Sequence, residues 1–343
     1  ICSTGQGVWK VRGRECGRNE QIGWGFVFRR QIACIIMREK WTFDNIPELK
    51  DKIIIVTGGN SGLGYESVKA FATKGAEVIL ASRSKENGEH SRDEILKEFP
   101  GATIEVMILD LGDLESVKGF TSEFRKKYNR LDVLLNNAGI MMSPYFRTKD
   151  GFEGQMGINH LGHFALTGLL MDILKKTPGS RVVNVTSNAH KRGKMDFNNP
   201  LFKNGRDYSP TRAYGRSKLA NLLYTYELQR RLERNNSNTL AVAAHPGVAM
   251  TNLARYLEKK LLLKLLFPIL KWLAQDQASG ALPQIRASVD PNVKGGEYYG
   301  PDGRNEFKGY PVRVESNAAS HDRKDATSLW EESERLTGVE YKV

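Results

Sequence analysis

Short apolar runs alternate with longer amphipathic stretches from residue 52 onwards, and this alternation constrains the fold more than any other feature. Six runs predict strands, and the stretches between them predict five helices. Strands that are apolar on both sides must be covered on both faces, which favours a parallel sheet. The predicted strands are 53–56, 77–81, 103–109, 131–135, 181–186 and 240–244, and the predicted helices are 62–74, 86–99, 113–128, 152–176 and 212–234.

The fold class predicted from this pattern is α/β, a single Rossmann-type doubly wound parallel β-sheet with helices on both faces. Residues 45–343 would form this domain, with a Leu-rich amphipathic lid at about 251–275. The first 40 residues differ, because they hold all three cysteines, and eight basic against three acidic residues. We expect 1–40 to be a non-native or disordered N-terminal extension; a basic targeting arm or an extra strand are the alternatives.

Composition excludes several classes of protein. No stretch of 18 uncharged apolar residues exists, so no membrane-spanning helix is expected. The net charge of +12 suggests a nucleic-acid partner, but five of these charges lie in residues 1–40, so no nucleic-acid binding is predicted. No cysteine follows Cys34, and the histidines lack the spacing of a metal site, so no metal is predicted.

A glycine-rich loop directly follows the first predicted strand. Residues 57–64 are Thr-Gly-Gly-Asn-Ser-Gly-Leu-Gly, and they open the first predicted helix. Glycines let the backbone approach a pyrophosphate, whose charge is met by free N–H groups at the helix N-terminus. The spacing is G-x-x-x-G-x-G rather than the commoner G-x-G-x-x-G. The loop predicts a dinucleotide site formed by Gly58, Asn60, Ser61, Gly62, Leu63 and Gly64.

The second predicted strand leads into an arginine rather than an acidic residue. Dinucleotide sites that take NAD usually place a carboxylate here, where it bonds the ribose 2′-hydroxyl. Arg83 can instead pair with a 2′-phosphate through two hydrogen bonds. The sequence therefore predicts NADP (NADPH) as the cofactor in preference to NAD.

Two further strand ends supply expected cofactor contacts. Asp110 closes the third strand, where its side chain could reach the adenine edge; its alternative role is to cap the helix that starts near Asp113. Small residues at the end of the fourth strand would leave room for the cofactor. The expected contacts in these two segments are Asp110, Leu111, Asn137, Ala138 and Gly139.

A tyrosine and a lysine open the predicted helix 212–234. Tyr214 and Lys218 are four residues apart and so share one helical face. The pKa of a phenol, about 10, is too high for acid–base work at neutral pH, but an ammonium and an oxidised nicotinamide would lower it. Ser187 ends the fifth strand at the carboxyl edge of the sheet, where its hydroxyl could bond a substrate carbonyl. The sequence lacks the G-x-S-x-G of acyl-transfer enzymes.

These elements together closely resemble the short-chain dehydrogenase/reductase family, in order and spacing, over nearly all of residues 50–300. The runs VNVTSNAH at 183–190, YGRSKLAN at 214–221 and HPGV at 245–248 resemble its retinol dehydrogenase group. Two departures are Thr186, where the family usually has the first serine of a pair, and a gap of 27 residues between Ser187 and Tyr214. The gap matches an insertion in the retinol dehydrogenase-like group.

The resemblance implies a role for each matched residue. Tyr214 would protonate the carbonyl oxygen in reduction, and Ser187 would orient that carbonyl. Lys218 would bond the nicotinamide ribose and lower the pKa of Tyr214. Asn159 would hold a water that links Lys218 to solvent. The nicotinamide carboxamide would be held by Pro246, Gly247, Val248 and Thr251.

The predicted function is that of an NADP-dependent oxidoreductase. It would transfer a hydride between the nicotinamide and a small lipophilic aldehyde, ketone or alcohol: retinal-, lipid- or steroid-like, or a xenobiotic carbonyl. One alternative is a non-catalytic dinucleotide-binding regulator, which would have a degraded catalytic set. Another is a protochlorophyllide reductase-like enzyme, which the lack of cysteines after Cys34 disfavours. We also expect a homo-oligomer packed through 152–176 and 212–234, and a cytoplasmic location with membrane contact through 257–273.

Overall fold

The sheet is the frame on which every other element rests. A computed structural model describes residues 40–248 and 275–343. Eight strands in these residues form one sheet, in the order β3-β2-β1-β4-β5-β6-β7-β8. The first seven are parallel and β8 is antiparallel to β7. They are β1 Ile53–Thr57, β2 Glu77–Ser82, β3 Thr103–Ile108, β4 Val133–Asn136, β5 Arg181–Val185, β6 Leu240–Ala244, β7 Tyr298–Pro301 and β8 Pro311–Arg313.

Helices connect the strands and cover both faces of the sheet. All six predicted strands and five predicted helices are present, and the predicted α/β Rossmann-type fold is confirmed. The ends are shifted by a few residues at most, except that the predicted helix 152–176 is divided into three segments. A short helical turn, Gly154–Met156, and a π-helical turn, Gly157–Leu161, precede α4. The helices are α1 Gly62–Thr73, α2 Lys85–Glu98, α3 Leu114–Lys127, α4 Gly162–Lys176, α5 Pro210–Arg234, α6 Gln277–Val289 and α7 Arg323–Thr337.

Two apolar cores flank the sheet because neighbouring strand residues point to opposite faces. Ile54 and Val56 belong to the core shared with α1 and α6, whereas Ile55 belongs to the core shared with α3, α4 and α5. All three side chains are fully buried. The uninterrupted apolar strands of the sequence are thus explained by burial on both sides.

Local capping explains where several helices begin. The hydroxyl of Ser84 accepts a hydrogen bond from Asn87 N at 3.2 Å, and the carboxylate of Asp113 accepts one from Glu115 N at 3.0 Å. Pro210 occupies the first position of α5, where a missing N–H costs nothing. These caps fix the helix ends next to the carboxyl edge of the sheet.

The strand order reverses at β1, which lies between β2 and β4. In open α/β sheets, a crevice forms at such a reversal, beyond the carboxyl ends of the strands. The glycine loop after β1 and the segment after β4 therefore face the same space. The predicted site residues are brought together there.

Several elements were not predicted: α6, α7, β7, β8 and the π-helical turn. The expected extension at 1–40 and the lid at 251–275, with the membrane contact at 257–273, lie almost entirely outside the described residues. Within residues 40–248 and 275–343, none of the helices is both long and apolar enough to cross a bilayer. The same residues contain no cluster of three or more His, Cys, Asp or Glu side chains arranged to hold a metal.

Candidate active site

A cleft of about 350 Å³ lies at the carboxyl edge of the sheet, between the ends of β1 and β4. The glycine loop forms its floor, and the start of α5 forms one side. Most of the predicted site residues line it. They are Gly58, Asn60, Ser61, Gly62, Leu63, Gly64, Arg83, Asp110, Leu111, Asn137, Ala138, Gly139, Tyr214, Lys218 and Pro246.

Five predicted residues are not among those lining the cleft. Asn159 is fully buried behind it, and Ser187 is half-buried beyond the end of β5. Gly247 and Val248 follow Pro246 in a turn beyond β6. Thr251 lies outside the described residues.

The glycine loop is a cradle that side chains would fill. Gly58 has φ +64°, a left-handed conformation that favours glycine. A Cβ on Gly64 would lie 2.2 Å from the carbonyl oxygen of Gly58 and 2.6 Å from Asn137 Nδ2. The helix N-terminus can approach the loop this closely only because residue 64 has no side chain. The residues present thus fit a pyrophosphate, which needs close backbone approach and free N–H groups.

The far end of the cleft carries a positive charge. Arg83 is exposed, and within residues 40–248 and 275–343 no carboxylate lies within ion-pairing distance of it. Ser84 and Asn87, at the start of α2, line the same end. Hydroxyl, amide and guanidinium groups at a helix N-terminus suit a bound phosphate.

The carboxylate of Asp110 organises the loop after β3 rather than capping the next helix. Its Oδ1 accepts a hydrogen bond from Gly112 N at 2.9 Å, and its own N–H donates to Ser116 Oγ at 2.9 Å. Asp113 is the residue that caps α3. The alternative role considered for Asp110 therefore belongs to Asp113, and Asp110 lines the cleft.

Tyr214 and Lys218 lie on the cleft-facing side of α5. Both are almost completely buried, 6% and 4% exposed. Lys218 Nζ donates to the main-chain oxygen of Val185 at 3.0 Å and lies 5.8 Å from the centre of the Tyr214 ring. The ammonium is thus held beside the phenol by the end of β5, the strand that leads to Ser187.

Burial dominates the acid–base behaviour of this pair. Burial raises the pKa of Tyr214 to about 12, against a smaller lowering by its hydrogen bond with Ser187. Burial also lowers the pKa of Lys218 to about 8. Lys218 was expected to lower the pKa of Tyr214, but the pKa is raised instead. The cost of burying the charged phenolate is larger than any stabilisation by the Lys218 ammonium, whose hydrogen bond goes to the Val185 carbonyl. Tyr214 is therefore protonated at neutral pH, the form required of a general acid.

Asn159 lies in the π-helical turn, and its side-chain amide is hydrogen-bonded to other residues of the protein. Its Oδ1 accepts from Ile140 N at 2.8 Å, while its Nδ2 donates to Ile140 O and to Ser217 Oγ, both at 3.0 Å. These bonds tie the segment after β4 to α5, one residue from Lys218. The proposed water between Asn159 and Lys218 stays a prediction.

The turn after β6 is held by hydrogen bonds to His245 and Phe307. Gly247 has φ +64°, and its N–H donates to His245 Nδ1 at 3.2 Å. Val248 N donates to Phe307 O at 2.8 Å. His245 Nε2 lies 2.9 Å from Glu306 Oε2. Pro246 is thereby presented to the cleft.

Sequence reasoning missed several residues at the site. Ser84, Asn87 and Ile158 line the cleft, and Gln284 Nε2 donates to Asn137 Oδ1 at 3.0 Å. Asn87 could have been found from the helix N-terminus after Arg83. Gln284 could not, because it lies 147 residues away on a helix that the pattern did not reveal.

The chain is similar to known proteins over most of its length. The model of the short chain dehydrogenase family matches residues 52–262, more than half of the chain. The chain belongs to the short-chain dehydrogenase/reductase family. Retinol dehydrogenase 14 of Homo sapiens is 38% identical over 304 residues, which cover 84% of this chain and 87% of that protein. Retinol dehydrogenase 12 of Mus musculus is 35% identical, over 86% of this chain and 89% of that protein.

These relatives place the chain in the retinol dehydrogenase-like group of the family, as the sequence motifs predicted. A solved structure of an uncharacterized protein from Mycobacterium paratuberculosis is 38% identical, has a TM-score of 0.73, and covers 89% of this chain and 100% of that one. A short-chain dehydrogenase from Shigella flexneri, complexed with NADP, is 24% identical with a TM-score of 0.57, covering 73% of this chain and 97% of that one. It supports the Rossmann fold. The family binds NAD or NADP, and the protein is an oxidoreductase acting on CH–OH groups.

Proposed function

We propose that the protein is an NADP-dependent reductase or dehydrogenase for a lipophilic aldehyde, ketone or alcohol, with Tyr214 as the general acid/base. One observation carries the proposal: a buried phenol and a buried ammonium face the same cleft as the glycine cradle. A non-catalytic dinucleotide-binding protein would have no use for this pair. Burying an ammonium is costly, so its retention favours a catalytic role.

The residues divide the work of carbonyl reduction between them. The nicotinamide of NADPH, when bound, supplies the hydride. Tyr214 gives its phenolic proton to the carbonyl oxygen, and Ser187 holds that oxygen by a hydrogen bond as negative charge develops. Lys218 stabilises the phenolate that remains. In the direction of oxidation, Tyr214 takes the proton back.

The remaining predicted residues would hold the cofactor. The glycine loop would bind the pyrophosphate, and Asp110 and Leu111 the adenine end. Lys218 would bond the nicotinamide ribose, and the small residues after β4 would leave room for the cofactor. The turn at Pro246, Gly247 and Val248, with Thr251, would take the carboxamide. Ile140 and Met141 line the cleft beyond Gly139, and these apolar side chains favour a lipophilic substrate.

The expected homo-oligomer stays a prediction, with one structural constraint. Residues of α7 pack on α5, where Ala326 and Leu329 meet Leu219 and Leu223. Tyr341 also contacts this layer: its hydroxyl donates to Phe164 O and pairs with Tyr224. An oligomer formed through α4 and α5 would therefore use only the part of these helices that α7 leaves uncovered.

A panel of carbonyl compounds tests the proposed function. Aliphatic and aromatic aldehydes, ketones and retinal would be incubated with the protein and NADPH, and absorbance at about 340 nm would follow cofactor oxidation, with NADH as a parallel series. We expect turnover of lipophilic carbonyls with NADPH. The absence of turnover with every compound would contradict the proposal.

Substitution of Arg83 tests the choice of cofactor. Arg83→Ala removes the guanidinium expected to pair with the 2′-phosphate, so KM for NADPH should rise by about tenfold while KM for NADH changes little. Steady-state kinetics with each cofactor measures both values. Lys85→Ala, two residues further along and also exposed, is the control and should have a smaller effect. Equal effects of Arg83→Ala on NADPH and NADH would refute the assignment.

A further inference from the structure

His163 is a buried side chain that the proposed mechanism does not use. It lies in the first turn of α4, directly after the π-helical turn, and is 3% exposed. Its Nε2 is 2.9 Å from Thr57 Oγ1, and its Nδ1 is 3.1 Å from the main-chain oxygen of Asn159. One imidazole ring thus contacts the last residue of β1 and the turn that carries Asn159.

The carbonyl decides the direction of these two hydrogen bonds. A carbonyl oxygen can only accept, so Nδ1 must carry the hydrogen and donate it to Asn159. Burial lowers the pKa of His163 to about 3, which keeps the ring neutral and leaves Nε2 without a hydrogen. The hydroxyl of Thr57 therefore donates to Nε2, at 2.9 Å, in preference to the more distant carbonyl oxygen of Leu135, at 3.3 Å. Its lone pairs are then directed away from the histidine.

The hydroxyl oxygen of Thr57 also accepts hydrogen bonds from the start of the segment after β4. Thr57 Oγ1 accepts hydrogen bonds from Asn137 N and Ala138 N, both at 2.9 Å. The other end of the segment is held at Ile140, whose N–H and carbonyl both bond the side chain of Asn159. Residues 137–140 are thus anchored at two points, by Thr57 at one end and by the side chain of Asn159 at the other. His163 contacts both of these anchoring residues.

We propose that His163 is a positioning residue that couples the two anchoring residues, Thr57 and Asn159. It thereby fixes the position of residues 137–140, which form one wall of the cofactor cleft. The inference rests on the proposed function only in taking that wall as cofactor-binding. His163 touches neither substrate nor cofactor in this role. It acts through Thr57 on one side and through Asn159 on the other.

Two substitutions separate the two sides of the ring. His163→Asn keeps an amide donor near the position of Nδ1 but does not reach Thr57. His163→Gln extends towards Thr57 but has no group at the position of Nδ1. Amide hydrogen exchange, followed residue by residue by NMR, should accelerate most at Asn137 and Ala138 in the first variant and most at Ile140 in the second. We expect about fivefold or more in each case, with NADPH binding weakened to a similar extent in the first. Because the ring couples the two ends, each variant should also show a smaller acceleration at the other end.

A second buried histidine supplies the matched control. His160 is three residues away, and burial also lowers its pKa to about 3, but its Nε2 bonds Ser333 on α7. His160→Gln should lower the urea midpoint of unfolding without changing exchange at 137–140 or NADPH affinity. If it changes them as much as the His163 variants do, those changes reflect general loosening and the proposal is wrong.

Substitution at Thr57 tests the same coupling from the side of β1, and it can be used if a His163 variant does not fold. Thr57→Val removes the hydroxyl and keeps the shape, and it should accelerate exchange at Ile140, which is not one of the hydrogen-bond partners of Thr57. Thr57→Ser should restore the native rate. An unchanged rate at Ile140 overturns the proposal. Hydrogen exchange is measured without turnover. An inactive protein would therefore contradict the proposed function without affecting this test.

Discussion

Replacement of Tyr214 by phenylalanine is expected to lower kcat for carbonyl reduction by roughly a hundredfold to ten-thousandfold, the usual contribution of a general acid. The phenol lies beside Lys218 on the cleft wall, and burial holds it protonated at neutral pH. Phenylalanine keeps the ring and removes only the hydroxyl. NADPH affinity, measured by fluorescence titration, should therefore change little.

Tyr226→Phe is the matched control for this substitution. Tyr226 lies on the same helix, is 7% exposed, and its hydroxyl pairs with Ser316 Oγ at 2.8 Å, away from the cleft. The change should cost some stability and leave kcat close to that of the native protein. Retention of turnover in Tyr214→Phe, at rates near those of Tyr226→Phe, would remove Tyr214 from its proposed role.

The second large effect is expected at Gly64. In Gly64→Ala, the added methyl group would lie 2.2 Å from the Gly58 carbonyl oxygen, a distance that no side-chain carbon tolerates. The glycine loop must move away from α1, and the N–H groups that would meet the pyrophosphate move with it. We expect NADPH binding to fall by at least about tenfold, together with a loss of unfolding free energy of about 1–3 kcal/mol. Isothermal titration and urea unfolding measure the two effects.

Gly119→Ala shows what the same change does without the clash. Gly119 lies within α3, and a Cβ there would have nothing within 4 Å. Alanine should stabilise this helix by about 0.5–1 kcal/mol and leave NADPH binding unchanged. If Gly64→Ala behaves like Gly119→Ala, the close approach of loop and helix is not required for binding.

The central part of the fold was predictable because its strands are buried on both faces. Ile53 to Val56 is apolar at every position, and such a run followed by glycines has few interpretations. The two last strands escaped prediction for the opposite reason. Tyr298–Pro301 contains glycine and proline, and Pro311–Arg313 has only three residues, so neither has a periodic pattern. Their pairing is decided by β6 and by each other, which is tertiary information.

The site was predictable where one local motif carries it and not where distant residues meet. The glycine loop and the Tyr214–Lys218 pair each lie within a few consecutive residues. The role of His163 could not be predicted from local sequence, because its contact with Thr57 spans 106 residues. The pKa of Tyr214 was expected to fall, because spacing reveals a neighbouring charge but not the burial that outweighs it.

The packing of α7 also bears on the order in which the molecule is completed during synthesis. His160 and Ser333 are 173 residues apart, and Phe164 and Tyr341 are 177 apart. A chain made from its N-terminus exposes α4 and α5 long before α7 exists, although α7 buries Leu219, beside Lys218. Such contacts form late, because closing long loops costs entropy that local pairings do not. The helix that carries Tyr214 and Lys218 therefore packs against α7 only after residues 323–337 have been made.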